Sequence, residues 1–128
     1  MSDKKRVFIA FAIEDKNARD FLVGQSKNEK CPFEFMDMSV KEPWDDEWKK
    51  KCRTKIKGCD GVIALLSKNS KNASGQKWEV KCSKEEGKKI LGVYTTQDDR
   101  PATLPEEFDG IRKVGWKWET IKNFIDSL

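Results

Sequence analysis

Three runs in this chain are apolar at every position rather than at alternate ones. They lie within the expected strands Arg6 to Ala12 (RVFIAFA), Gly61 to Ser67 (GVIALLS) and Lys89 to Tyr94 (KILGVY), each rich in β-branched and large aliphatic residues. A strand that carries apolar side chains on both parities must be covered on both faces, which is the condition of an interior strand in a parallel sheet. Between these runs lie segments with helical spacing. Ala18, Phe21, Leu22 and Gln25 follow the acidic pair Glu14-Asp15, and Gly24 to Asn28 is read as the end of that helix. Trp48, Cys52 and Ile56 recur at i, i+4, i+8 from Asp45 to Lys57, stopped by Gly58. Trp118, Ile121, Phe124 or Ile125 and Leu128 line a terminal helix.

The alternation Phe33 to Asp37 (FEFMD) suits an outer strand, and Arg112 to Trp116 a last short one. Pro101 and Pro105 punctuate a long connection, with room for a helical turn near Glu106-Glu107-Phe108. Strands alternating with helices predict a three-layer, doubly wound parallel five-stranded sheet. The flavodoxin-like order 2-1-3-4-5 fits best, as a single domain over residues 1–128. Such sheets bind ligands at the carboxyl ends of the strands where the order reverses, here between strands 1 and 3. Ala12 to Asp15, Ser67 to Gly75 and Met38 to Trp44 converge there.

The chain has no histidine. Ser-His and Cys-His triads are thereby removed, together with the most common metal ligand. Cys31, Cys52, Cys59 and Cys82 form no CxxC, so neither structural zinc nor a secreted disulfide framework is expected. The net charge of +4 is spread through mixed runs such as Asp45-Asp46-Glu47 before Lys49-Lys50-Lys51, a solvated surface rather than a nucleic-acid track. No apolar run reaches membrane-span length and the N-terminus lacks a signal-peptide core, so a cytoplasmic location with no membrane partner is expected.

Chemistry must then come from carboxylates, hydroxyls, amides or backbone groups. Glu79 stands in a short polar helix between a Ser- and Asn-rich loop and Gly87. It is equally an acid complementing a helix dipole and a carboxylate able to stabilise the oxocarbenium-like centre of N-glycosidic cleavage. Ser67, Asn69, Ser70, Asn72 and Ser74 can bind ribose or phosphate, or serve turn and cap chemistry, with Ser74 a reasonable helix cap. Trp44 and Trp48 can stack on a ring or pack internally. Neither GxGxxG nor GxxxxGK[ST] occurs.

Taken in order, VFIAF (Val7–Phe11), FEFMDMSVKEPW (Phe33–Trp44), GVIALLSKNS (Gly61–Ser70), KWEVKCSKEEGKKILGVY (Lys77–Tyr94) and VGWKW (Val114–Trp118) resemble the TIR-like family that includes the Thoeris antiphage TIR proteins. The resemblance spans nearly the whole chain. It implies a flavodoxin-like fold, NAD as substrate with no tightly bound cofactor, and release of nicotinamide with an ADP-ribose product, often a cyclised signal. It makes Glu79 the catalytic glutamate and sets Phe11, Ala12 and Asp15 along the nicotinamide side. Asp37, Trp44, Ser67, Asn69, Ser70 and Trp78 complete the expected substrate-binding set. The segment Asp37 to Asp46 would be the loop that gates the pocket and mediates self-association with a second copy or a partner TIR protein. Ala10 departs from the pattern, standing where many relatives carry Ser. A non-catalytic interaction module remains the alternative reading, and a nucleoside deoxyribosyltransferase relative a weaker one.

Overall fold

A computed structural model describes residues 5–28, 33–38, 41–96 and 100–128. Five strands form one all-parallel sheet in the order β2-β1-β3-β4-β5. They are β1 (Lys5–Ala10), β2 (Phe33–Met36), β3 (Gly61–Leu66), β4 (Ile90–Tyr94) and β5 (Arg112–Val114). The helices are α1 (Lys16–Asn28), α2 (Asp46–Lys57), α3 (Ser74–Glu85) and α4 (Trp118–Asp126). The wholly apolar runs became the interior strands, and the alternating run Phe33 to Asp37 became the edge.

Successive strand residues point to opposite faces, and the core divides accordingly. Phe8, Ala10, Val62, Ala64 and Leu66 pack with Trp48, Cys52 and Ile56 of α2 and with Val80 and Cys82 of α3. Val7, Ile9, Phe11, Ile63, Leu65, Leu91 and Val93 pack on the other face with Leu22 of α1 and with Ile121, Phe124 and Ile125 of α4. Every residue of β3 is buried, because helices cover both of its sides.

Several boundaries differ from the expectation. β1 ends at Ala10, so Phe11 and Ala12 are buried loop residues beyond the sheet edge. α1 runs on through Gly24 to Asn28, since a Cβ-free position on a partly exposed turn costs little when the rest of the helix packs. Ser74 is the first residue of α3 rather than its cap; Ala73 precedes it with no capping side chain. The last strand stops at Val114. α2 begins at Asp46, and Asp45, expected within the helix, is its cap instead, accepting from the Glu47 and Trp48 amides at 2.8 and 3.3 Å.

α3 closes with a C-terminal signature. Gly87 takes φ +70, its amide donates to Lys84 O at 3.0 Å, and the Lys88 amide donates to Ser83 O at 3.0 Å. This is the paired bonding of a Schellman stop, which favours glycine at the left-handed position. Gly87→Ala should therefore cost about 1 kcal/mol in urea unfolding, whereas Gly24→Ala, in open space on a helix, should be neutral or stabilising.

Candidate active site

Helix α3 begins immediately beyond the carboxyl ends of β1 and β3. Its buried residues include Gln76, Glu79, Val80 and Ser83, at i, i+3, i+4 and i+7. A stripe at that spacing faces the sheet, and three of its four members are polar. Gln76 spans the point where strand order reverses: its Nε2 donates to Ala10 O at 3.0 Å and to Leu65 O at 2.6 Å. Its Oε1 is buried and has no partner among the described residues.

One turn further along, Glu79 is fully buried. Oε2 accepts from Lys41 Nζ at 2.7 Å, while Oε1 is also without a partner among the described residues. The Lys41 side chain is 8% exposed and its ammonium lies 3.8 Å from the centre of the Phe11 ring. Burial pushes the Glu79 carboxyl up to about 7 from its ordinary 4.5; Lys41 pulls down against that, Asp37 pushes up, and the Phe11 backbone amide pulls down. Desolvation thus outweighs the ion pair, as expected where one carboxylate loses all its water for a single lysine.

Lys41 closes the site because α3 lets it approach. A Cβ placed on Gly75 would lie 2.8 Å from Lys41 Cβ, so glycine alone admits the loop at this distance. Outside Lys41 is a cavity of about 160 Å³, lined by Ala12, Ile13, Glu14, Lys41, Asn72, Ala73, Ser74, Gly75 and Gln76. Glu79 lies behind Lys41 rather than on this wall.

The other expected site residues have varied placements. Asp15, Ser67 and Asn69 meet one another: Ser67 Oγ donates to Asp15 Oδ2 at 2.5 Å and Asn69 Nδ2 donates to Asp15 Oδ1 at 2.9 Å. They tie the loop after β1 to the loop after β3. Ser70 is buried and accepts from the Ser67 amide at 3.2 Å in a reciprocal capping box. Ala12 lines the cavity. Phe11 lies beneath it, its ring facing Lys41 on one hand and Arg19, at 5.4 Å, on the other.

Asp37 is held by Arg19 at 2.6 Å and reaches Glu79 only through its field. Trp44 is 73% exposed and lines no part of the cavity. Trp78 packs edge-on against Trp48 at 5.5 Å between α2 and α3, on the side of α3 away from the pocket lining. Lys41 and Gln76 were not among the expected residues. Gln76 had a legible signal, a polar residue on the stripe with Val80; Lys41 had none, being one of many lysines in polar sequence.

Among the described residues no His/Cys/Asp/Glu group is placed to hold a metal. Burial raises the thiols of Cys52, Cys59 and Cys82, the last to about 11, which makes them poor nucleophiles at neutral pH. Cys31 lies outside the described residues. No helix among the described residues is long and apolar enough to cross a membrane.

The parallel 2-1-3-4-5 sheet flanked by helices is the architecture of TIR-like α/β domains. Residues 8–100 match the family described as Thoeris protein ThsB, TIR-like domain, and the chain belongs to that family. Similar solved structures include the CMP N-glycosidase BcmB of Clostridium botulinum, 22% identical, with a TM-score of 0.59 over 97% of this chain and all of that one. The TIR domain of the Toll-related receptor TRR-2 of Hydra magnipapillata is 13% identical, with a TM-score of 0.64 over 94% of this chain and 91% of that one. A prokaryotic SEFIR domain is 15% identical, with a TM-score of 0.57 over 97% and 95%. At these identities the likeness shows the fold alone. No curated protein matches the chain in sequence.

The raised Glu79 carboxyl has a consequence for stability. Below about 4.5 the group is protonated whether the chain is folded or not; between about 4.5 and 7 the unfolded chain gives up the proton first. Folding stability is fully present below the unfolded value and is lost as pH rises through the folded one. Wild type should therefore lose stability relative to Glu79→Gln between these pH values, by on the order of a few kcal/mol, read from urea unfolding across a pH series.

Proposed function

We propose that this TIR-like domain cleaves the N-glycosidic bond of NAD, releasing nicotinamide and an ADP-ribose or cyclic ADP-ribose isomer that acts as a signal in antiphage defence. NAD is substrate here, not a retained cofactor. The observation that carries this reading is the cation already held at the site. Lys41 Nζ rests between Glu79 Oε2 and the face of Phe11, so this spot stabilises one positive charge by a carboxylate and an aromatic face together. Cleavage breaks the C1′–N bond, and nicotinamide leaves with the bonding pair. The sugar carbon left behind carries the positive charge that Lys41 carries at rest. Water, or a nucleophile within the product, then captures that carbon; with water a proton is released.

Two further features support it. The family is that of an antiphage system, and a protein of the same fold is named as an N-glycosidase acting on a nucleotide, CMP. The cavity of about 160 Å³ is too small for a dinucleotide, since ligand pockets run to roughly 300 Å³ and more. The described arrangement is accordingly a closed one, and Lys41 must leave before substrate enters. Its departure exposes a carboxylate whose own desolvation favours taking up a new cation.

A second reading has an observation of its own. Trp44, adjoining the Lys41 segment, leaves 73% of its surface to solvent, which suits docking to a second copy or a partner TIR protein. The two readings are compatible if docking draws the loop away. Nicotinamide release from NAD by concentrated protein tests the first. Glu79→Gln should reduce it on the order of 100-fold or more; full turnover by that variant would end the catalytic reading. Light scattering over a concentration series, wild type against Trp44→Ala, tests the second, which requires assembly that the variant lacks.

A further inference from the structure

Gln76 carries an acceptor that the fold does not use. Both hydrogens of its Nε2 are taken, one by Ala10 O and one by Leu65 O, so the amide cannot turn over without placing oxygen against two carbonyls. Oε1 is therefore held in one direction. It is buried, unpartnered among the described residues, and belongs to a residue on the cavity lining. A buried amide oxygen left without a donor costs stability, and such groups point to a bound partner.

The donor can be placed by chemistry, on the reading that the anomeric carbon of the substrate meets Glu79. Gln76 precedes Glu79 by one turn on the same buried stripe, a rise of about 4.5 Å. The ribose hydroxyls lie two and three bonds from the anomeric carbon, within that reach. The carboxamide nitrogen of a nicotinamide leaving group is five bonds away. We infer that Gln76 is a specificity-determining residue whose Oε1 accepts a hydrogen bond from a hydroxyl of the reacting ribose. The site thereby selects ribonucleotides over their deoxy counterparts. Ala10 and Leu65 act in this as positioning groups through their carbonyls, which couples sugar recognition to the spacing of β1 and β3.

The test compares NAD with its analogues lacking the 2′- or the 3′-hydroxyl on the nicotinamide ribose. With wild type, one of the two analogues should lose roughly tenfold to a hundredfold in kcat/KM. In Gln76→Met, whose folding is checked by thermal melting, NAD should fall to the level of that analogue, leaving the two within about threefold. Equal kcat/KM for NAD and both analogues with wild type overturns the inference, and this arm needs no variant. So does discrimination that persists undiminished in Gln76→Met.

Calorimetry with ADP-ribose separates this claim from the catalytic one. If wild type releases no nicotinamide yet binds ADP-ribose tenfold or more tightly than Gln76→Met, cleavage is wrong and the hydroxyl contact stands. Equal ADP-ribose binding by the two proteins, or binding by neither, refutes the contact.

Discussion

The burial of the Glu79 carboxylate organises the carboxyl edge of the sheet in this molecule. A charge on the inner face of α3 would not persist there without a counter-charge, and Lys41 supplies it from a loop that belongs to the opposite side of the switch point. The pair is incomplete: one lysine does not offset the desolvation, and the carboxyl stays raised to about 7. Among the described residues, one carboxylate oxygen and the amide oxygen of Gln76 have no partner. A fold optimised for stability alone would place apolar side chains on this stripe, as it does at Val80. The proposed function rests on these polar groups with unmet valence at the carboxyl edge of the parallel sheet.

The surrounding structure is arranged to hold that imbalance. Gln76 bridges β1 and β3 through the carbonyls of Ala10, the last residue of β1, and Leu65, the last but one of β3. Asp15, Ser67 and Asn69 fasten the two flanking loops to each other. Residues expected to touch a ligand thus hold together the loops that flank Glu79. Phe11 does both, giving one side of its ring to the core and offering its face to the ammonium of Lys41. Gly75 completes the closure by leaving the space into which Lys41 fits.

The closed loop also links the proposed activity to assembly. Lys41 and Trp44 lie three residues apart on one segment, the first sealing the site and the second exposed to solvent. Whatever engages Trp44 acts on the same stretch of backbone that holds Lys41 in place. On the proposed function, recruitment of Trp44 by a second copy would shift the segment that holds Lys41 over Glu79.

The architecture was legible because it rests on local patterns. Short continuous apolar runs suit interior strands and an alternating run an edge, and helical spacing between them favours crossovers, which the observed order and two-faced core bear out. The placement of Glu79 after β3 is equally a matter of sequence. What tertiary structure alone decided is which groups meet. Nothing local distinguishes Lys41 from 25 other basic residues, or shows that Trp78 turns to Trp48 and Trp44 to solvent. A hydrogen bond between residues 38 positions apart depends on how two loops settle over a sheet edge, and periodicity carries no record of that. Composition excluded histidine chemistry; three-dimensional packing chose the lysine, the glutamine and the direction in which each acceptor waits.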